Sequence, residues 1–123
     1  MRSEESKHQT TYFDVLRLNE KRLPQLRWIH ASMNGASASS AAAAAQRKAQ
    51  GQKKGVADVF IPVPMRGYHG FWIELKIKPN RLTPDQVQFL EDQQDMGYKT
   101  AVAWSVDEMI EMTEQYLRVK LTK

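Results

Sequence analysis

The 123-residue sequence predicts a mixed α/β domain in which strands and helices alternate. Stretches with apolar residues three to four apart, typical of helices, alternate with short aliphatic and aromatic runs, typical of strands. Glycine, proline and asparagine mark the boundaries between them. The length suffices for one hydrophobic core and is too short for two ordinary domains, so we expect a single domain over residues 1–123.

The first half of the chain is predicted to hold a helix, a strand and a second helix. Apolar residues at helical spacing predict a helix over residues 3–22. Residues 26–31 are aromatic and β-branched and predict a strand, which ends in a turn at Asn34 and Gly35. The alanine-rich residues 40–49 predict a helix because alanine is the best helix former, with Gly51 as its C-cap.

A hairpin is predicted next. Residues 58–65 begin as a strand, but Pro62 and Pro64 push its far end to an edge or out of the hydrogen-bonded ladder. Residues 66–70 supply the turn, and residues 71–78 form the second arm.

The last third of the chain predicts a helix, a strand and a helix. Thr83, Pro84 and Gln86 form the start of a helix, with Thr83 as N-cap and Gln86 completing a capping box. That helix ends near residue 97. Residues 99–104 predict a strand, and Ser105 caps a final amphipathic helix that ends near residue 117.

The positive charge of the chain is localised. The net charge is +4, and no acidic residue lies between His30 and Ala57. Four bases fall in that segment: Arg47, Lys48, Lys53 and Lys54. Such a stretch is typical of a surface that binds a polyanion, with phosphates as the expected partner. A solvated loop whose charges only aid solubility is the open alternative.

Two charges stand in an otherwise apolar strand, at Glu74 and Lys76. Residues two apart in a strand share a face, so these side chains project together, about 6–7 Å apart. If Asp58 comes from the neighbouring strand, two carboxylates converge and can hold a hard cation such as Mg²⁺. An ion pair on the solvent face of an antiparallel sheet, with Asp58 as a mere turn residue, is the open alternative.

Several other chemistries have no support. The chain has no cysteine, which excludes disulfides and thiolate metal sites, and it has no P-loop or GxGxxG, so no nucleotide cofactor is expected. His8, His30 and His69 lack metal-ligand spacing and are expected at the surface or in packing. No apolar run reaches the roughly 18–20 residues of a membrane span, and the N-terminus is polar, so a cytoplasmic protein without membrane contact is expected.

Four short motifs follow one another at close spacing. They are Gly-Val-Ala-Asp at residues 55–58, Gly-Phe-Trp-Ile-Glu-Leu-Lys at 70–76, Leu-Thr-Pro-Asp-Gln at 82–86 and Gly-Tyr at 97–98. Together they resemble the VRR-NUC domain of the PD-(D/E)xK nuclease superfamily, most closely its small stand-alone versions from bacteriophages and prophages. The resemblance covers residues 5–117 and implies a restriction-endonuclease-like fold, a mixed central sheet flanked by helices.

The resemblance also implies the site residues. Catalytic positions carry over to Glu5, Asp58, Glu74, Lys76 and Gln86. Glu4 remains an alternative to Glu5, and Lys76 is either the base that activates water or a stabiliser of the developing charge. Ala57 stands where relatives usually have proline, a residue that shapes the backbone and ligates nothing.

The implied cofactor is Mg²⁺ or Mn²⁺. It would be held by Asp58, Glu74 and the backbone carbonyl of Leu75, with Glu5 assisting through water. The implied activity is an endonuclease selective for branched DNA such as Holliday junctions, working as a homodimer because two symmetric incisions need two sites. DNA contacts are expected from the four clustered bases and Asn34.

Two alternatives remain open. A non-catalytic DNA-binding module would use residues 36–54 and keep the acidic residues only for the fold. A restriction-like or repair nuclease would keep the site and act on a different class of DNA.

Overall fold

One mixed sheet organises the computed structural model, which describes residues 3–32 and 39–123. Within these residues, four strands are arranged in the order β1-β2-β3-β4. Their bounds are His30–Ala31 for β1, Val59–Ile61 for β2, Phe71–Leu75 for β3 and Lys99–Ala103 for β4. The pairs β1/β2 and β2/β3 are antiparallel, whereas β3/β4 is parallel. Strand β3 therefore lies in the interior of the sheet, with a partner on each side.

The helices occur in the predicted places. Their bounds are Ser3–Asn19 for α1, Ala41–Ala49 for α2, Pro84–Asp95 for α3 and Val106–Leu117 for α4. Ser40, Thr83 and Ser105 each accept a hydrogen bond from the backbone of their helix, as N-caps do. The predicted element order and the mixed α/β architecture are both confirmed.

The two faces of the sheet carry different helices. Phe71 packs against Tyr116 of α4 at a ring-centroid distance of 4.9 Å, whereas its neighbour Trp72 packs edge-on against Phe89 of α3 at 5.0 Å. Because successive strand residues point to opposite faces, α4 and α3 cover opposite sides of β3. Helix α1 lies beside α4, where Tyr12 Oη and Thr113 Oγ1 form a buried hydrogen bond of 2.8 Å.

The main core lies on the α1 and α4 side. Fully or nearly fully buried residues from α1, the sheet and α4 form one apolar cluster, including Tyr12, Ile61, Ile73, Leu75 and Met109. The other face of β3 carries Trp72 and Glu74, so Glu74 lies on the side that α3 partly covers.

The predicted strand over residues 26–31 is largely wrong. A 3₁₀ helix occupies Pro24–Trp28, and only His30–Ala31 pairs with β2. Proline at the start of that turn favours helical backbone. Burial of Leu26 at 2 % exposure and Ile29 at 5 % holds the turn against the core. Tertiary packing thus overrides a β-like composition.

Other boundaries are shorter than predicted. Helix α1 ends at Asn19, where its backbone carbonyl accepts the amides of Arg22 and Leu23 and its side-chain nitrogen reaches Thr122 O at 2.7 Å. Strand β2 stops at Ile61, directly before Pro62, as the missing proline donor requires. The predicted turn at Asn34 and Gly35 lies outside the described residues.

The described residues contain no helix that combines the length and apolarity needed to span a bilayer.

Candidate active site

Asp58, directly before β2, lies opposite Glu74 of β3. Val59 is paired with Ile73 in the β2/β3 register, so the residues one step outward, Asp58 and Glu74, face each other across the ladder. Asp58 Oδ2 also accepts a hydrogen bond of 2.8 Å from the backbone N–H of Leu75. The strand that carries Glu74 therefore orients the Asp58 carboxylate.

Lys76 lies on the same face, two residues beyond Glu74. Its Nζ is 3.9 Å from Glu74 Oε2, and its backbone N–H donates to the carbonyl of Ala103 at 2.9 Å. Glu74 is 2 % exposed and Lys76 is 8 % exposed. The alternative of a solvent-facing ion pair is therefore wrong about exposure. The pair is buried at the end of β3, which has the antiparallel strand β2 on one side and the parallel strand β4 on the other.

The environment of Glu74 disfavours its charged form. Burial raises the pKa of its carboxyl well above the ordinary value, and the negative charge of Asp58 raises it further. A hydrogen bond with Asp58 and the charge of Glu5 act in the same direction, while the Lys76 ammonium lowers the pKa only in part. Two carboxyl groups can hydrogen-bond only when one holds a proton, which is why this contact favours the neutral form.

The two oxygens of Glu74 differ. Oε2 accepts a hydrogen bond of 3.2 Å from Gln86 Nε2. Oε1 is buried and has no hydrogen-bond donor among the described residues other than a proton that Glu74 can share with Asp58. Buried carboxylate oxygens ordinarily have donors, so an oxygen without one next to a second carboxylate suits a cation rather than another hydrogen bond.

Gln86 serves both the helix and the site. Its side-chain Oε1 accepts the N–H of Thr83 at 2.9 Å, and its backbone N–H donates to Thr83 Oγ1 at 3.2 Å, so the capping box of α3 is complete. The same amide supplies the donor to Glu74. The first turn of α3 is thereby attached to the site.

Of the two N-terminal glutamates, Glu5 faces the site. Glu5 is 5 % exposed and its Oε2 accepts a hydrogen bond of 3.1 Å from Asn80 Nδ2. Glu4 is exposed, and its Oε1 is 3.5 Å from Lys7 Nζ. The charge of Glu5 also contributes to the raised pKa of Glu74, which places the two carboxylates in electrostatic contact.

Sequence reasoning missed two supporting residues. Asn80, just beyond the predicted second arm of the hairpin, donates to Glu5 and orients it. Gly55 adopts φ +83°, and a Cβ there would lie 2.5 Å from the backbone of Asp85 in α3. The segment that leads to Asp58 therefore packs directly on the first turn of α3. The Gly-Val-Ala-Asp motif was the available signal for Gly55, since close backbone approach commonly requires glycine.

The oxygen donors fit a divalent cation. In the part of the chain that the structure describes, no group of three or more His, Asp or Glu side chains is arranged to hold a metal. Two carboxylates at Asp58 and Glu74, completed by a backbone carbonyl and waters, are nevertheless the kind of set that Mg²⁺ uses, because it binds few protein ligands and retains waters.

The clustered bases precede Asp58 in the chain. Arg47 and Lys48 lie in the last turn of α2, none of whose residues is buried, and Lys53 and Lys54 are exposed in the loop that follows. Lys54 is four residues before Asp58, so their Cα atoms are at most about 14 Å apart. Asn34, the fifth predicted DNA contact, lies outside the described residues.

The histidines have structural surroundings. His8 Nδ1 accepts the N–H of Val106 at the start of α4, at 2.9 Å. The ring of His30 packs on Phe60 at 5.9 Å, and that of His69 on Tyr98 at 5.6 Å. These contacts agree with the predicted surface and packing roles.

Comparison with known proteins agrees with the geometry. A family model described as the VRR-NUC domain matches residues 3–107, a span that contains Glu5, Asp58, Glu74, Lys76 and Gln86. A solved structure described as a VRR_NUC domain protein is 28 % identical, with a TM-score of 0.75 over 94 % of this chain and 89 % of its own. A search of curated proteins gave no match. The chain belongs to the VRR-NUC domain family, a family of nuclease domains.

Proposed function

We propose that this protein is a divalent-metal-dependent DNA endonuclease that hydrolyses phosphodiester bonds at the Asp58 and Glu74 site. One observation carries the proposal. The carboxyl groups of Asp58, directly before β2, and Glu74 of β3 interact across the end of the ladder, and Glu74 Oε1 is buried without an amide donor among the described residues. A purely structural ion pair would show neither feature. Buried, unbalanced charge costs stability, so proteins keep it mainly where it serves a function.

Several residues would share in binding the divalent cation. Asp58, Glu74 and the backbone carbonyl of Leu75 would hold Mg²⁺ or Mn²⁺, and Glu5 would act through water. When bound, such an ion polarises a phosphoryl oxygen and lowers the pKa of water, which supplies the nucleophile. The Leu75 amide keeps Asp58 oriented toward this set through its 2.8 Å hydrogen bond.

Lys76 is the cation available to the reacting phosphate. It is 3.9 Å from Glu74 Oε2 and only 8 % exposed, so its ammonium is fixed in a site with little water. In such surroundings a cation beside developing negative charge stabilises it far more than in bulk solvent. Lys76 can also hydrogen-bond the attacking water. Gln86 holds Glu74 Oε2 so that Oε1 stays free for the ion.

The bases before Asp58 would bind the DNA backbone. Arg47, Lys48, Lys53 and Lys54 lie in a segment without acids, and the last two are exposed within a few residues of Asp58. Phosphate contacts of this kind position a duplex without reading its sequence. Binding should therefore weaken steeply as salt is added.

Branched DNA, with the Holliday junction as the leading case, is the proposed substrate, and a homodimer is the proposed active form. Support comes from the likeness of the motifs to compact resolvase-like relatives and from the need of symmetric incisions for two sites. The same site would also serve a restriction-like or repair nuclease, which a panel of substrates distinguishes.

The test combines substrates, metals and variants. An end-labelled four-way junction, a nicked duplex and a linear duplex of matched sequence are incubated with Mg²⁺ or Mn²⁺. Wild-type protein should cut the junction fastest, while Glu74→Ala and Lys76→Ala should each lose at least about 100-fold in rate. Glu91→Ala removes an exposed carboxylate of α3 and should cut like wild type.

The outcomes separate the candidates. Junction binding without cleavage under either metal would establish the DNA-binding module instead. Cleavage that survives both substitutions would mean that the chemistry occurs elsewhere on the chain. Equal rates on junction and linear duplex would retain the nuclease and remove the branched specificity.

A further inference from the structure

A second surface with bases and an exposed aromatic ring lies between α1 and the 3₁₀ helix. An open groove there is lined by Arg17, Glu20, Lys21, Pro24 and Arg27. Residues 14–28 carry four bases and two acids, Asp14 and Glu20. Because Arg17 is paired with Asp14 at 2.9 Å, the groove owes its positive charge mainly to Lys21 and Arg27. Neither is part of the basic segment before Asp58.

Trp28 directly follows Arg27, one of the residues that line this groove. It is 68 % exposed, more than any other large apolar side chain that the structure describes. The Arg27 guanidinium lies over its ring at 5.6 Å from the centroid. With a cation on one face and most of the ring open, the indole offers a flat surface for a further stacking partner.

The backbone beneath the ring is well anchored. Leu26 and Ile29, on either side of Arg27 and Trp28, are 2 % and 5 % exposed, and Ile29 N–H donates to Leu26 O at 3.2 Å. Trp28 O is 3.0 Å from His30 Nδ1. An aromatic side chain held on fixed backbone loses little conformational entropy when it binds.

The ring lies within reach of the proposed active site. Ser32 N–H donates to Asp58 O at 2.8 Å, which joins the end of β1 to the catalytic segment. Trp28 precedes Ser32 by four residues, so the Cα atoms of these two residues are at most about 14 Å apart. Successive phosphates of one strand in a duplex are about 3.4 Å apart along the axis, so this upper limit corresponds to about four nucleotides.

We propose that Trp28 and Arg27, with Lys21, form a site for an unpaired nucleotide of the DNA substrate. The base would stack on the open face of the indole, while Lys21 and Arg27 contact its flanking phosphates. Base pairs in an intact duplex hide their faces, so this site recognises DNA with an unpaired base near the cut, as at a branch point. The inference rests on the proposed nuclease function and adds a source of substrate selectivity outside the carboxylate site.

Binding of two labelled probes tests the site. Fluorescence anisotropy measures the affinity of the full-length protein for a 20-nucleotide oligothymidine and for a duplex of the same length, in buffer with EDTA. Trp28→Ala should weaken single-strand binding about tenfold and change duplex binding less than about twofold. Trp28→Phe should retain most of the affinity. Leu18→Ala removes another exposed apolar side chain, 61 % exposed, and should bind both probes like wild type.

Charge and assembly provide separate readouts. Lys21→Glu should weaken single-strand binding and reduce its salt dependence by about one phosphate contact. Unchanged single-strand affinity in Trp28→Ala, or an equal loss on both probes, would overturn the site. A change in molar mass of Trp28→Ala by light scattering would assign the ring to contact with a second copy of the chain and would also overturn it.

The cleavage assay keeps this inference apart from the proposed function. If wild-type protein cuts branched DNA and Trp28→Ala cuts it with the same rate and substrate preference, only the nucleotide site is contradicted. Wild-type protein that binds the oligothymidine through Trp28 but cuts no DNA with Mg²⁺ or Mn²⁺ contradicts the nuclease proposal alone.

Discussion

Gln86 Nε2 donates a hydrogen bond of 3.2 Å to Glu74 Oε2 while the Oε1 of the same amide accepts the backbone N–H of Thr83. One side chain thus connects the N-terminal cap of α3 to the central strand of the sheet. The connection determines which oxygen of Glu74 receives an amide donor, because Oε1 receives none among the described residues. A local capping motif and a long-range site contact therefore depend on the same residue.

Gln86→Glu should damage the site more than the helix. A glutamate can still accept the Thr83 N–H, but it removes the donor to Glu74 and brings a further acid close to Asp58, Glu74 and Glu5. We expect cleavage to fall at least about tenfold and the free energy of unfolding to fall by about 1–2 kcal/mol without metal. Gln115→Glu, the same change at an exposed site on α4, should alter both by little. Activity close to wild type would show that Gln86 only caps the helix.

Glu74→Gln should change the pH dependence of stability. The folded protein holds the pKa of Glu74 above its ordinary value of 4.5, so it binds more protons than the unfolded chain as pH rises above that value. Without metal, the unfolding free energy of wild type should therefore decline as pH rises through the raised pKa. Glutamine does not titrate, so this contribution should vanish in the variant.

The measurement is urea unfolding in EDTA at about pH 5 and about pH 8. With the folded pKa raised to about 9, stability should fall from pH 5 to pH 8 by up to about 4 kcal/mol more in wild type than in Glu74→Gln, since one pKa unit corresponds to about 1.4 kcal/mol. Glu91→Gln, at an exposed carboxylate of α3, should behave like wild type. Parallel pH profiles for all three proteins would refute the raised pKa.

Asp58→Asn should remove stabilisation by metal. A ligand that binds only the folded state stabilises it by about 1.4 kcal/mol at tenfold excess over Kd, so Mg²⁺ should raise the melting temperature of wild type by several degrees. Asparagine halves the carboxylate charge of the proposed site, and the increment should largely disappear. Thermal scans with and without Mg²⁺ measure it, with Asp95→Asn, an exposed residue of α3, as control. An equal increment in both variants would place the metal elsewhere.

Gly55→Ala should be far more disruptive than Gly51→Ala. Both glycines have positive φ, +83° and +102°, but a Cβ at Gly55 would meet the backbone of Asp85 at 2.5 Å, whereas at Gly51 nothing lies within 4 Å. We expect about 1–2 kcal/mol of backbone strain at Gly51 and about 2–4 kcal/mol at Gly55.

Activity distinguishes the two glycines further. Only Gly55→Ala should slow cleavage, because it moves the segment before Asp58 away from α3. Urea unfolding and junction cleavage, compared between the two variants, measure strain and site geometry separately. Equal losses of activity at both positions would contradict the packing role of Gly55.

Much of the local structure follows from the sequence because it depends on neighbours along the chain. Thr83, Pro84 and Gln86 predict the start of α3, and the capping box is formed as expected. Strand β2 ends directly before Pro62, because proline has no backbone N–H to donate to the ladder. The strand predicted over residues 26–31 failed because long-range packing decided its structure. The composition suited a strand, but burial of Leu26 and Ile29 favoured a helical turn.

The site was predictable in membership and not in arrangement. Alternation along β3 was enough to place Glu74 and Lys76 on one face, and the family resemblance pointed to Asp58, Glu5 and Gln86. Pairing across 16 residues, from Asp58 to Glu74, is set by strand register. The contact between Asn80 and Glu5, separated by 75 residues, is set by the packing of α1.

The sequence by itself determined which side chains this protein could bring to a phosphate, because residue type and two-residue periodicity are local properties. Only the tertiary structure decided that the Glu74 and Lys76 pair is buried rather than exposed, that one oxygen of Glu74 lacks a donor, and that Trp28 stands open to solvent. Burial and hydrogen-bond satisfaction depend on which distant segments cover a residue, and no local pattern specifies that covering.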